Sequence, residues 1–352
     1  MTNCPKPIFI VGANRSGTTL LRLLLNAHSR IGIPEELVYF DSAIGGIPIE
    51  RWQSPGLSVK QFETLVDEFI AKTCKILEGF NTRRLREVIL EGPQTLRRPY
   101  EATLVEWARS QGKARWGEKT PGNLFYADVL HEMFPEAQFI YVVRDPRAGV
   151  NSMQKAPFFG GDIAFNALTR DKHYRAGRNV LERHVPSEQR MTVRYEDLVR
   201  EPEQTVRKLC RFIGEEFEPT MLAFHENAGE YMKAEAANSF NAAATKPIST
   251  AMLDRWHQEL SPHEIAVVQV VCEDEMRTHG YVAMEAHPPF KIRLDLYAKT
   301  AYWHLQCWRN RHIRHYTVKH KPFARLRHRL RRVLQVTTLG LKADVFGVRK
   351  QK

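Results

Sequence analysis

"IVGANRSGTTLLRLLLNAHS", residues 10 to 29, joins a short apolar run to a helix through a turn that carries two glycines. The run Pro7 to Val11 is rich in β-branched residues and reads as a buried strand, while Leu20, Leu21, Leu24 and Leu25 repeat at helical spacing. In a strand, glycine turn and helix of this kind the backbone N–H groups of the turn and of the first helical turn converge. The helix dipole adds partial positive charge there, so the turn is suited to an anion. Gly12 and Gly17 have the spacing of a Walker loop, but Thr18 stands where that loop places its lysine, and the cation is Arg15, inside the turn. A nucleoside triphosphatase needs that lysine for the β- and γ-phosphates. The turn therefore favours a ligand with a single phosphate at this point. An ordinary strand-turn-helix is the alternative, although Arg15, Ser16, Thr18 and Thr19 give one short turn a cation and three hydroxyls.

Strands and helices keep alternating beyond the turn. "RIGIPEE" reads as a second strand, from Arg30 to Pro34, ending in Glu35 and Glu36. A helix is expected from about Ser58 to Leu77, and another from about Tyr100 to Ser110. "WGEKTPGNLFYADVLHEMFP" reads as a loop through Lys119, a Thr120 cap with Pro121 at the first helical position, and a helix ending before Pro135. Phe139 to Val143 is the clearest buried strand in the chain. The segment from Met191 repeats strand, turn and helix, with Gly214 as the stop. Ser261 to Glu264 forms a capping box for a helix that ends by Gly280. This alternation predicts an α/β fold with a P-loop-like parallel sheet covered by helices on both faces, with ligands outside the C-terminal ends of the strands. One boundary is marked, near 285 at "AHPPF". It separates residues 1–285 from a basic helical extension, 286–352.

The chain has 352 residues, 43% of them hydrophobic, enough to bury a sizeable core. Cys4, Cys74, Cys210, Cys272 and Cys307 are scattered, odd in number and without a Cys-x-x-Cys pair. That pattern speaks against a disulfide framework or zinc site and suits a reducing compartment. The N-terminus enters the first strand directly, with no sign of a leader, and no run approaches the roughly 18 apolar residues of a membrane span. A cytoplasmic protein, most simply prokaryotic, is expected. Net charge is +12, and twelve basic residues with no acidic one lie between Asp295 and Asp344. Without that segment acidic and basic residues balance. Its aromatic and basic residues fit contact with an anionic membrane face or lipid-linked acceptor, or packing on the body, with nonspecific nucleic-acid binding least favoured.

Several residues have chemistry in view. Arg144 follows the buried strand directly and Ser152 comes eight residues later, so both can reach one phosphate; Arg147 is the nearby alternative, and Asp145-Pro146-Arg147 can equally be a helix cap. Lys119 and the Glu35-Glu36 pair are each compatible with a solvated surface. If Glu36 shares a strand-end crevice with Arg15 and Lys119, one carboxylate can take a proton from a hydroxyl while cations neutralise a leaving phosphate.

On these residues the chain resembles sulfotransferases that use 3′-phosphoadenosine-5′-phosphosulfate (PAPS), especially a bacterial branch related to tyrosylprotein sulfotransferases. "RSGTTLLRLLLNAHSRIGIPEE" is similar to the family's 5′-phosphosulfate loop, helix and carboxylate-bearing strand end. "VVRDPRAGVNS" is similar to its 3′-phosphate motif, and "VRYEDLVREPE" and "KPISTAMLDRW" look like later signatures. The resemblance, which spans roughly residues 7 to 282, implies PAPS as co-substrate, 3′,5′-adenosine bisphosphate (PAP) as product and no metal. It implies that Arg15, Ser16, Gly17, Thr18 and Thr19 wrap the 5′-phosphosulfate. Arg144 and Ser152, with a hydroxyl from Tyr195, would hold the 3′-phosphate, and Arg255 would add positive charge. Glu36 would be the general base, with Lys119 and Arg15 stabilising the transferring group and leaving oxygen. The family's acidic-peptide-binding residues have no counterpart that can be matched here. A carbohydrate, glycolipid or small hydroxyl metabolite is thus the expected acceptor, with peptidyl tyrosine open. The rival classes are a P-loop kinase or NTPase, which needs magnesium and the missing lysine, and a noncatalytic nucleotide-binding module.

Overall fold

The computed structural model describes residues 6–37, 39–40, 57–73, 81–156, 159, 162–227 and 244–284. All lie in the first of the two units into which the chain divides, Met1–Pro289. The basic extension and most of the loop around residues 41 to 57 fall outside the described residues.

Five parallel strands, β1 (Ile8–Gly12), β2 (Ile31–Gly32), β3 (Arg115–Lys119), β4 (Gln138–Val143) and β5 (Arg190–Arg194), lie in the order β2-β3-β1-β4-β5. The described helices are α1 (Thr18–Asn26), α2 (Val59–Thr73), α3 (Thr82–Leu90), α4 (Arg97–Ser110), α5 (Ala127–Met133), α6 (Pro146–Gln154) and α7 (Ile163–His184). They continue with α8 (Tyr195–Arg200), α9 (Pro202–Ile213), α10 (Trp256–Glu259), α11 (Pro262–Val271) and α12 (Glu273–Thr278).

Side chains alternate across a strand, and β1 and β4 use that alternation to build two cores. Phe9, Val11, Phe139, Tyr141 and Val143 face one core with Phe62, Phe69, Tyr100, Leu104 and Tyr174 from α2, α4 and α7. Ile8, Ile10, Ile140 and Val142 face the other, with the leucines of α1 and Val206, Leu209 and Ile213 of α9. The sheet is therefore covered on both faces, as the alternating pattern predicts.

The chain leaves β1 towards β2 and leaves β4 towards β5. Between the C-terminal ends of these neighbours the connections part in opposite directions, which opens the crevice where open α/β sheets bind ligands. The 13–17 turn and Arg144 sit at those two strand ends.

Two local readings change, and one long helix, α7, has no counterpart in the sequence reading. Residues 115–119 form a central strand, not a loop, and all five are buried. The strand escapes an apolar pattern because its charges are individually paired: Arg115 with Glu215 and Gln138, Glu118 with Thr120 and Asn123, Lys119 with Glu36. Thr120 accordingly turns its hydroxyl to Glu118 instead of capping, and Pro121 opens a 3-10 turn, Pro121–Tyr126, before α5. The 22-residue α7 has helical burial spacing, but Asn166, Arg170 and Gly177 interrupt its apolar face. Elsewhere the expected punctuation is present. Gly214 ends α9 in the left-handed conformation at φ 77°, and Ser261 with Glu264 makes the capping box of α11.

Candidate active site

Arg15 lies at the centre of the strand-end turn with φ 65°, a left-handed conformation seldom adopted by a residue with a long side chain. Its Nε donates to Ser152 Oγ at 3.0 Å, and its own carbonyl accepts from Arg144 Nη1 at 3.3 Å. Arg15, Arg144 and Ser152, from three separate sequence motifs, thus meet at one place.

Tyr195, the first residue of α8, packs its ring under the Arg144 guanidinium at 4.4 Å. The same ring lies against Gly17, where an added Cβ would come within 2.2 Å of Tyr195 Cδ2. Gly17 also has φ 96°. Turn geometry and ring packing both require glycine here.

Ser16 is fully buried, and its Oγ has no hydrogen-bond partner among the described residues; Arg144 Nε is likewise buried and unpartnered. Buried donors left unpaired cost stability, so one in the turn after β1 and one at the end of neighbouring β4 suit an acceptor-rich ligand between them. An anion with several oxygens fits them, and α1 presents its N-terminus at the same turn.

On the other side of the turn, Lys119 ends β3 fully buried. Its Nζ lies 2.5 Å from Glu36 Oε1 and 3.3 Å from Thr19 Oγ1, tying the carboxylate after β2 to the first turn of α1. Beside Glu36 opens a cavity of about 290 Å³, walled by Asn14, Thr120, Phe125, Tyr126 and His173. Burial pushes His173 down to about 4, so at neutral pH an uncharged imidazole faces this space. Burial pushes Glu118, the partner of Thr120, up to about 7 against the opposing hydrogen bond from that hydroxyl.

Two residues take other places. Arg147 is buried in a fork with Asp145, at 3.0 and 2.7 Å, and lies 4.1 Å over the Trp256 ring, while Asp145 Oδ1 caps α6 through Arg147 N. The helix-cap reading of Asp145-Pro146-Arg147 is the one realised. Arg255 is exposed and pairs with Glu259 at 2.9 Å; that carboxylate also accepts from Asn151 and Lys155 of α6. The cavity walls Phe125 and His173 escaped the sequence reading, because nothing in a helix pattern distinguishes them from ordinary packing residues.

The crevice at the β1/β4 strand ends, with an anion-suited turn, two convergent arginines and a lysine-carboxylate pair, is an arrangement suited to group transfer of the P-loop-like class. Comparison with known proteins makes the class specific. The model of the sulfotransferase family matches residues 7–219, and that of the sulfotransferase domain matches residues 171–280. The chain belongs to the sulfotransferase family, enzymes that move sulfuryl groups. It is 24% identical to a putative protein-tyrosine sulfotransferase of Caenorhabditis briggsae, over 84% of this chain and 96% of that one. The nodulation protein NoeE of Sinorhizobium fredii is 24% identical over 79% and 67% of the two chains. The sulfotransferase domain of the Synechococcus PCC 7002 olefin synthase has the same fold, with a TM-score of 0.54 at 23% identity, over 80% of this chain and 97% of that one.

The conformation of Arg15 separates stability from activity. Glycine tolerates positive φ, whereas alanine keeps the strain. Arg15→Gly is expected to resist urea about as well as wild type and roughly 1 kcal/mol better than Arg15→Ala. Both should lose transfer, because both lose the guanidinium that meets Ser152. Equal stability of the two variants would refute the strained conformation.

Proposed function

We propose that the protein transfers the sulfuryl group of PAPS to the hydroxyl of a carbohydrate, glycolipid or small metabolite. The observation that carries this reading is the meeting of Arg15 with Ser152 and with Arg144 at the end of β1 and β4. It supports a ligand with phosphates at both ends of one nucleoside, the feature that separates PAPS from ordinary adenosine nucleotides. The Ser16 hydroxyl, Thr18, Thr19 and the backbone of the turn to Gly17 would hold the 5′-phosphosulfate, and Arg144, Ser152 and Tyr195 the 3′-phosphate. Arg255, just before α10, would add charge only by leaving its pair with Glu259.

PAPS supplies an activated sulfuryl group whose bond to the 5′-phosphate oxygen is the one to be broken. Glu36 takes the proton of the acceptor hydroxyl as its oxygen bonds to sulfur. Lys119, which reaches both Thr19 and Glu36, would stabilise the charge that returns to the 5′-phosphate oxygen, and Arg15 would add a second cation. The leaving oxygen stays with the nucleotide, giving PAP and a sulfate ester. This is in-line transfer by positioning and charge, as in phosphoryl transfer.

The cavity beside Glu36 supports an uncharged, ring-bearing acceptor. Its described lining offers aromatic walls, a neutral His173 and Asn14, with no lysine or arginine to meet an acidic peptide. Peptidyl tyrosine is the second reading, favoured by the protein-tyrosine sulfotransferases among the relatives. Among the described residues no helix is long and apolar enough to cross a membrane. Residues 1–285 would form the catalytic domain, with the basic extension from 286 contacting an anionic membrane face or a lipid-linked acceptor.

Thermal unfolding tests the donor. PAP at about 100 times its dissociation constant should stabilise the protein by roughly 2.7 kcal/mol, while ADP and magnesium-ATP should do much less. Arg144→Ala should lose most of the PAP effect. Equal or greater stabilisation by magnesium-ATP would overturn the reading in favour of a kinase.

A further inference from the structure

Arg170 is a fully buried arginine in the first half of α7, outside both nucleotide motifs. Its guanidinium is held by both oxygens of Glu275 on α12, Nε at 3.1 Å from Oε2 and Nη2 at 2.7 Å from Oε1. Two further donors go to backbone carbonyls. Nη2 donates to Arg144 O at 2.7 Å, and Nη1 donates to Asn14 O at 3.4 Å. One planar group therefore links the turn after β1 to the end of β4.

The surroundings fix that group in place. α6 passes the guanidinium at Gly149, where an added Cβ would lie 2.2 Å from Arg170 Nη1. The segment that carries Glu275 is tied to the same strand end twice more. Gln269 Oε1 accepts from Arg147 Nη1 at 2.9 Å, and Tyr281 donates its hydroxyl to Glu196 at 2.9 Å, whose other oxygen accepts from Asp145 N at 2.9 Å. Arginine suits this task because its rigid fork serves a carboxylate and two carbonyls at once, which a lysine ammonium on a flexible stem does not reproduce. A buried ion pair adds little net stability over an apolar replacement, so its value lies in the geometry it specifies.

We propose that Arg170, anchored by Glu275, is a positioning residue that sets the separation of the Asn14–Gly17 turn and Arg144, so that one nucleotide engages both phosphate subsites together. This rests on the PAPS reading of the site. Neither residue touches the nucleotide; their action passes through the carbonyls of Asn14 and Arg144.

The test compares affinities for PAP, 5′-AMP and 3′-AMP by titration calorimetry in the full chain. Wild type, Glu275→Gln and Arg170→Lys are used, Glu275→Gln preserving side-chain shape and Arg170→Lys preserving charge. Loss of registration should weaken PAP by about tenfold while either monophosphate, which needs only one subsite, changes little. A general loosening of the fold would weaken all three alike. That result, or unchanged PAP affinity in either folded variant, overturns the proposal. If wild type itself shows no preference for PAP over the monophosphates, the donor reading fails, and this inference with it. Strong PAP binding with no selective loss in the variants rejects the positioning role alone.

Discussion

Glu36→Gln is expected to lower the rate of sulfuryl transfer by about 10²–10⁴-fold while leaving PAP affinity unchanged. Glutamine has the shape of glutamate, and its amide oxygen can still accept from Lys119 Nζ, 2.5 Å away in the wild-type pair. The cavity and the turn should therefore keep their form, and only the capacity to take a proton is lost. Some stability goes with the charge, since the Lys119 side chain is fully buried and loses its counter-ion. That cost should stay below the several kcal/mol typical of breaking a fully buried pair, because the Glu36 side chain is 35% exposed. Single-turnover transfer from radiolabelled PAPS, with PAP affinity measured on the same sample, checks both halves. A variant with full turnover would move the base elsewhere. His173, on the wall of the same cavity, is the alternative that a His173→Gln variant would then test. A variant that loses PAP binding as well would place Glu36 in the donor site.

How much of this arrangement the sequence discloses depends on how its residues meet their energetic requirements. The turn at 12–17 is legible because a strand, a glycine-bearing turn and a leucine-rich helix satisfy three local preferences within twenty residues. Glu36 and Arg144 are legible because each follows a strand, and Ser152 because it falls eight residues after Arg144 on the helix that comes next. Central strand β3 is not, because two of its five residues are glutamate and lysine whose burial depends on Thr120, Asn123, Glu36 and Thr19. A charge in a central strand looks like a loop until its partners are known. The same holds for α7, whose inner face spends positions on Asn166 and Arg170 to reach Gln154 and Glu275. A partner such as Glu275, 105 residues from Arg170, leaves no periodic trace. Arg147 shows the converse: the sequence offers it as a phosphate ligand, and the neighbouring carboxylate of Asp145 holds it in a helix cap. Local polar chemistry can be narrowed to two uses by sequence, and packing chooses between them.

Gly17→Ala should nearly abolish PAP binding and cost roughly 1–3 kcal/mol of stability, from two separable causes. The backbone at φ 96° lies where an L side chain is strained, and the added Cβ falls 2.2 Å from Tyr195 Cδ2 and 2.7 Å from Cε2. Such contact forces either the turn or the ring to move. If the ring yields, the Arg144 guanidinium loses the surface on which it rests at 4.4 Å, and the 3′ side of the site is disordered by a methyl group on the 5′ side. If the turn yields, Arg15 loses its reach to Ser152. A double-mutant cycle with Tyr195→Ala separates these outcomes. Removing the ring abolishes the clash but leaves the backbone strain, so in that background Gly17→Ala should cost only about 1 kcal/mol of stability, and PAP affinity should match that of Tyr195→Ala alone. Loss of the remaining affinity in the double variant would show instead that the left-handed backbone at Gly17 is itself what aims the turn's donors at the nucleotide. The two phosphate subsites would then be coupled through the backbone and not through the Tyr195 ring.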